Sequence, residues 1–171
     1  MTGWRGVELY GTFIKITGEL EVLGIDRLSD AINRYGDFLA VRRGRAEPLG
    51  AHRPLVGAAD TAMTVAKRTV LLVCPTTLSS DGTSVMWREK TPCPAVITTT
   101  AFSVAGEIHL SPGHTLQDEL ERNPGHFIPL SNFSALWHAT LEPAPLSLQR
   151  PFGLLNPAAI ISFSFPNAGR S

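Results

Sequence analysis

Apolar and polar residues alternate over Thr12–Leu23 (TFIKITGELEVL). Ile14, Ile16, Gly18, Leu20 and Val22 fall on one face, and Phe13, Lys15, Thr17, Glu19 and Glu21 on the other. Period-two alternation predicts a half-buried strand, or two strands joined at a bend. Gly18 interrupts the apolar series, where a missing side chain suits a sharp bend or a close approach of backbone. The pattern returns over Thr100–Ser111 (TAFSVAGEIHLS), with Phe102, Val104, Gly106, Ile108 and Leu110 on one face. The Gly-Glu pair at 18–19 recurs at 106–107, a shift of 88.

The correspondence continues along the chain. Leu28, Asp30 and Ile32 match Leu116, Asp118 and Leu120 at the same shift. Gly36-Asp37-Phe38-Leu39 matches Gly125-His126-Phe127-Ile128 at a shift of 89, which places one inserted residue near Asn123-Pro124. Thr64–Val73 matches Leu154–Phe163 at a shift of 90; each has a short apolar stretch, a turn-like stretch and a second apolar run. The intervening loops at 47–60 and 139–151 both contain proline and lack periodicity. An ordered series of matches that includes the glycines points to an internal repeat.

Leu28, Ala31, Ile32 and Tyr35 form one apolar stripe at helical spacing, with Asp26 as the expected N-cap and Gly36 as a left-handed stop. In the second copy Thr115 is the expected cap and Asn123-Pro124-Gly125 the terminator. Strands are predicted at 38–46, 62–74, 127–137 and 152–164. A further short strand is expected near 84–89, and the tail after Pro166 is expected to fray. The predicted fold class is α+β, mostly β: a tandem duplication of a strand–helix–strand–strand unit forming a pseudo-two-fold β-sandwich or small-barrel body. The expected divisions are residues 1–75, a linker at 76–98, and residues 99–171. A unit of this size is marginal alone, so the halves are expected to share one core.

Composition narrows the functions. Lys and Arg number 15 against 15 Asp and Glu, so the basic excess that a nucleic-acid binder uses against phosphate is missing. Residues 1–22 carry Arg5, Glu8, Lys15, Glu19 and Glu21 where an export signal needs an apolar run, so a cytoplasmic location and free thiols at Cys74 and Cys93 are expected. Cys74 ends an apolar strand and reads as a buried structural thiol. No phosphate-binding glycine loop or nucleophile elbow occurs, and no catalytic, cofactor-binding or metal-ligating residue is assigned. His109, His114 and His126 could in principle supply three metal ligands, but polar positions on loops and strand faces explain them without a metal.

One group of charges carries a binding hypothesis. Arg42, Arg43 and Arg45 on one predicted strand, with Lys67 and Arg68 on the next, would form a patch for an acidic partner or an anion if the strands pair. The competing reading is a solvated edge whose charges discourage unwanted pairing.

The string Arg27-Leu28-Ser29-Asp30 followed by Asn33 and Phe38 resembles small bacterial domains of uncharacterised function that carry an RLSD-x-x-N element after a Gly-containing strand. That resemblance implies no activity. The bent strand with its glycine also looks like Sm-type small barrels, which would imply RNA binding or assembly, although the helix here interrupts the strand order and the RNA-contact loop residues of that family are not recognisable.

The function expected from these observations is a non-enzymatic protein-interaction or assembly module, an accessory subunit with a protein partner or further copies of itself. Small-ligand or nucleic-acid binding at the seam between halves or at the basic edge is the alternative, and a metal-assisted enzyme using the second-copy histidines is the third reading.

Overall fold

The protein is described by a computed structural model covering residues 2–23, 27–50, 60–77, 90–138 and 146–166. Ten strands and two short helices follow in the order β1 (Thr2–Tyr10), β2 (Ile14–Leu23), α1 (Leu28–Arg34), β3 (Phe38–Pro48), β4 (Thr61–Ala66), β5 (Leu72–Pro75), β6 (Thr91–Thr99), β7 (Phe102–Leu110), α2 (Leu116–Arg122), β8 (Ile128–Trp137), β9 (Ser147–Leu155) and β10 (Ile160–Ser164). Single 3-10 turns, Lys67–Thr69 and Pro157–Ala159, join β4 to β5 and β9 to β10. The fold is mostly β, as the alternation predicts.

All ten strands belong to one antiparallel sheet, in the spatial order β10-β6-β7-β8-β9-β5-β1-β2-β3-β4. The first five strands lie as β5-β1-β2-β3-β4 and the last five as β10-β6-β7-β8-β9, so in each run the fifth strand returns beside the first. The runs meet where β9 pairs with β5. A two-fold seam would bring like strands edge to edge; this one joins a fourth strand to a fifth, head to tail. The expected pseudo-two-fold is therefore replaced by a directional junction.

Several boundaries differ from the sequence expectation. The segment predicted as a single strand at 62–74 is two strands separated by a 3-10 turn, and so is 152–164. Residues 91–98, expected within the linker, form most of β6 despite Pro92 and Pro94. The strand expected near 84–89, the proline loops and the end of the tail fall largely or wholly outside the described residues.

The helix ends also depart from expectation in the first run. Arg27 occupies the N-cap position of α1 and its side chain makes no capping bond, while Asp26 lies outside the described residues. The chain leaves α1 at Tyr35 in an extended conformation (φ −58°, ψ 140°), so Gly36 is not a left-handed stop. In the second run Thr115 caps as expected: its hydroxyl accepts from the Asp118 amide, and the Asp118 carboxylate accepts from the Thr115 amide at 2.7 Å. The Thr115 amide and, at 2.8 Å, the Thr115 hydroxyl both donate to Asp118 Oδ2 and hold the exposed carboxyl below its ordinary range. Gly125 adopts φ +77°, as its place in the terminator predicts.

The glycine expectation holds in detail. Between Thr17 and Glu19, β3 carries one residue more than β2, and between Ala105 and Glu107, β8 carries one more than β7. Arg43 and Asn132 take left-handed conformations at these bulges, φ 51° and 46°. Gly18 and Gly106 lie directly opposite. A Cβ on Gly18 would run into the Val41 side chain, and one on Gly106 would meet Phe133 Cβ at 2.5 Å and Cα at 2.9 Å. The extra residue bends the strand, and the glycine lets the bend close.

Gly106→Ala is expected to lower unfolding free energy by about 1–3 kcal/mol, since the opposing atoms include backbone and cannot swing aside. Gly36→Ala, with open space around it, is expected to stay within about 0.5 kcal/mol. Urea unfolding followed by circular dichroism measures both.

Candidate assembly interface

Along β5 and β9, neighbouring residues face different cores. Leu72 and Cys74 pack with the second run, among Phe102, Ile108, Leu130 and Trp137, whereas Val73 packs with Val7, Leu9, Leu20 and Ile32 of the first. On β9 the pattern is reciprocal: Leu155 joins the second core and Leu154 the first. The registered pairs are Leu72 with Leu155 and Val73 with Leu154. Beyond them the Asn156 amide N–H donates to the Leu71 carbonyl at 2.9 Å, and the Asn156 side chain donates to the Val70 carbonyl at 2.8 Å.

Three further contacts lock the runs together. Phe127 N–H donates to Asn33 Oδ1 at 2.8 Å, which gives the asparagine of the RLSD-x-x-N element a structural partner in the other run. The Phe127 ring is buried in the first core (3% exposed) with Lys67 Nζ 5.9 Å from its centroid. Arg150 Nη2 lies 2.9 Å from Glu8 Oε2, and that carboxylate also accepts from the Tyr10 hydroxyl at 3.0 Å. Burial raises the Tyr10 hydroxyl well above its ordinary pKa, and Glu8 adds to the shift.

The outer edges of β4 and β10 have no strand neighbour among the described residues. β10 carries Ile161 (66% exposed) and Phe163 (37% exposed), with Phe165 just beyond it, its ring 6.0 Å from that of Phe163. At the opposite end Phe38, first residue of β3, is 56% exposed beside β4. Bare edges carrying large apolar side chains are places where a further strand adds readily.

The basic residues singled out from sequence are spread among carboxylates. Arg42 Nε lies 2.6 Å from Glu19 Oε2 and its guanidinium stacks over Trp4 at 3.8 Å. Arg43 faces Glu19 and Asp60 at 3.8 and 3.7 Å, and Arg45 faces Glu47 at 3.9 Å. Lys67 donates to the Tyr35 carbonyl at 2.9 Å and belongs to the seam, while Arg68 is exposed on the 3-10 turn. Arg42 and Arg43 thus share one carboxylate, and Lys67 serves a different part of the molecule.

His109 Nε2 contacts Ser131 Oγ at 2.7 Å, and His114 Nδ1 lies 3.6 Å from Glu119. No group of three His, Cys, Asp or Glu among the described residues could hold a metal ion. Both thiols are free; Cys74 is fully buried and its pKa is pushed up to about 12, chiefly by burial. No helix among the described residues is long and apolar enough to cross a membrane. No family model, curated protein or solved structure matches the chain.

Sequence reading missed the seam. Its signal was the unbroken apolar run Val70–Cys74, which breaks the alternation seen elsewhere and marks a strand buried on both faces.

Asn33→Ala, which strands the Phe127 amide in a part-buried site, is expected to cost about 1–3 kcal/mol in the same unfolding measurement. A thiol reagent at pH 8 is expected to titrate only Cys93 in the native protein and both cysteines in denaturant, because Cys74 is neither accessible nor ionised.

Proposed function

We propose that this protein is a non-enzymatic assembly module, an accessory subunit that joins a protein partner by adding a strand to its exposed sheet edges. The observation that carries the reading is β10, an outermost strand whose Ile161 and Phe163 are open to solvent. Stable proteins ordinarily blunt such edges with charge or cover them. Here the charges lie elsewhere, on β3, paired with carboxylates. Pairing of Arg42 and Arg43 with Glu19 and Asp60 also supports a protein partner over nucleic acid. The work of such a subunit would be done in the cytoplasm.

The body serving this role is read as a tandem duplication of one five-strand, one-helix unit of the small-barrel kind. Support comes from the identical strand order of the two runs, the 3-10 turn before each fifth strand, and the bulges with left-handed Arg43 and Asn132 opposite Gly18 and Gly106. The return of the fifth strand beside the first in each run, with a bulge to increase coiling, supports the barrel-like curvature.

In native lysate the chain is expected to elute from a sizing column in a species larger than the free chain. Ile161→Lys with Phe163→Lys is expected to move it to the position of the free chain with an unchanged circular dichroism spectrum. Elution of the unmodified chain as a free monomer from lysate would overturn the proposal.

A further inference from the structure

Resting on that reading, we propose that the partner is a second copy of this chain, bound head to tail, with β4 of one molecule against β10 of the next in the geometry that β9 and β5 already adopt inside each chain. The argument is continuity with the internal seam. The order β10-β6-β7-β8-β9-β5-β1-β2-β3-β4 ends in a fifth strand on one side and a fourth strand on the other. Those are the two kinds of strand that the seam joins, so one molecule offers at its ends what another needs.

The exposed residues coincide with the buried ones of the seam. At the shift of 90, Leu71, just before β5, and Val73, within it, are both buried and correspond to Ile161 and Phe163, exposed on β10. At the shift of 89, Phe127, sealed under the first run, corresponds to Phe38, exposed beside β4. Asn33, which receives the Phe127 amide, corresponds to Glu121 on the exposed side of α2, where a carboxylate keeps an acceptor at the equivalent place. The seam pairs Leu72–Leu155 and Val73–Leu154 translate to Ser162–Val65 and Phe163–Thr64 between molecules.

Two differences set the strength of this contact. Thr64 and Ser162 stand where the seam has Leu154 and Leu72, and Val96 and Asp60 stand where it has Glu8 and Arg150. The intermolecular contact is therefore less apolar and lacks the charge-assisted bond, so it is reversible where the internal seam is permanent. Being heterologous, it leaves a free edge at each end after every addition, and growth stops only when a ring closes.

Two full-length variants test this with purified protein alone. One carries Ile161→Lys and Phe163→Lys, blocking the β10 side; the other carries Phe38→Lys and Thr64→Lys, blocking the β4 side. Sedimentation velocity and native mass spectrometry are expected to show the unmodified chain as species beyond the dimer, and each variant alone as a monomer, its self-association weakened about tenfold or more. Mixed together, the variants are expected to form one dimer and nothing larger, because each retains the edge the other has lost. That restoration also shows that both variants are folded.

A like-to-like contact predicts no restoration on mixing, and that result overturns the proposal. An unmodified chain that stays monomeric when pure also overturns it, while the accessory-subunit reading survives if the chain in lysate still elutes with a partner. Monomeric behaviour in both settings defeats both readings.

Discussion

The structure depends on β5 and the end of β9 being buried on both faces. A strand in a half-exposed sheet needs one apolar side, but where these two meet, at Leu72–Cys74 and Leu154–Leu155, successive residues are apolar and alternate between two cores. Neither core is complete within its own run: the first takes Leu154 and Phe127 from the second, and the second takes Leu72, Cys74 and Tyr10 from the first. Units of this size bury too little surface to be robust alone. Each run therefore completes the other, and the directional seam is what makes a ten-strand sheet from two five-strand sets.

At that seam the polar groups of Asn156 and Glu8 are satisfied. Asn156 bonds through both its amide N–H and its side chain, and its carbonyl Oδ1 accepts from Ala158 N–H at 3.0 Å. Glu8 is bound by both Arg150 and Tyr10, so a part-buried carboxylate is neutralised on the spot. Trp137, buried and 4.6 Å from Phe102 and 5.4 Å from Tyr10 by ring centroid, ties residues of both runs into one aromatic group. Buried polar and aromatic partners of this kind fix register as well as adding stability.

What was legible in sequence is what depends on local pattern. The alternating strands, the stripe Leu28-Ala31-Ile32-Tyr35 and the cap at Thr115 follow from spacing and side-chain chemistry, and α1 buries Ala31 and Ile32 as the stripe requires. The glycines at 18 and 106 were visible because a gap in an apolar series has few explanations. What was hidden is pairing between distant segments. β1 begins with a mixed, glycine-containing stretch, and β6 contains two prolines, so neither advertises a strand. Arg42 and Arg43 of β3 suggested a patch because their carboxylate partners, Glu19 on β2 and Asp60 before β4, lie far away in sequence. The candidate interface was legible only as a likeness between halves; which residues are bare and which are covered needed the strand order.

The position of β5 has a consequence in time. Synthesis runs from the N-terminus, so Leu72–Pro75 is made about seventy residues before β9, the strand that covers its outer side. During that interval the nascent first run presents a fifth strand rich in apolar side chains with an empty hydrogen-bonding edge, the condition under which incomplete chains pair with the wrong neighbour. Completion of the N-terminal half must wait for the C-terminal half. Such a chain folds late and as a whole, and it gains most from being kept apart from other unfinished copies until its last strands have emerged.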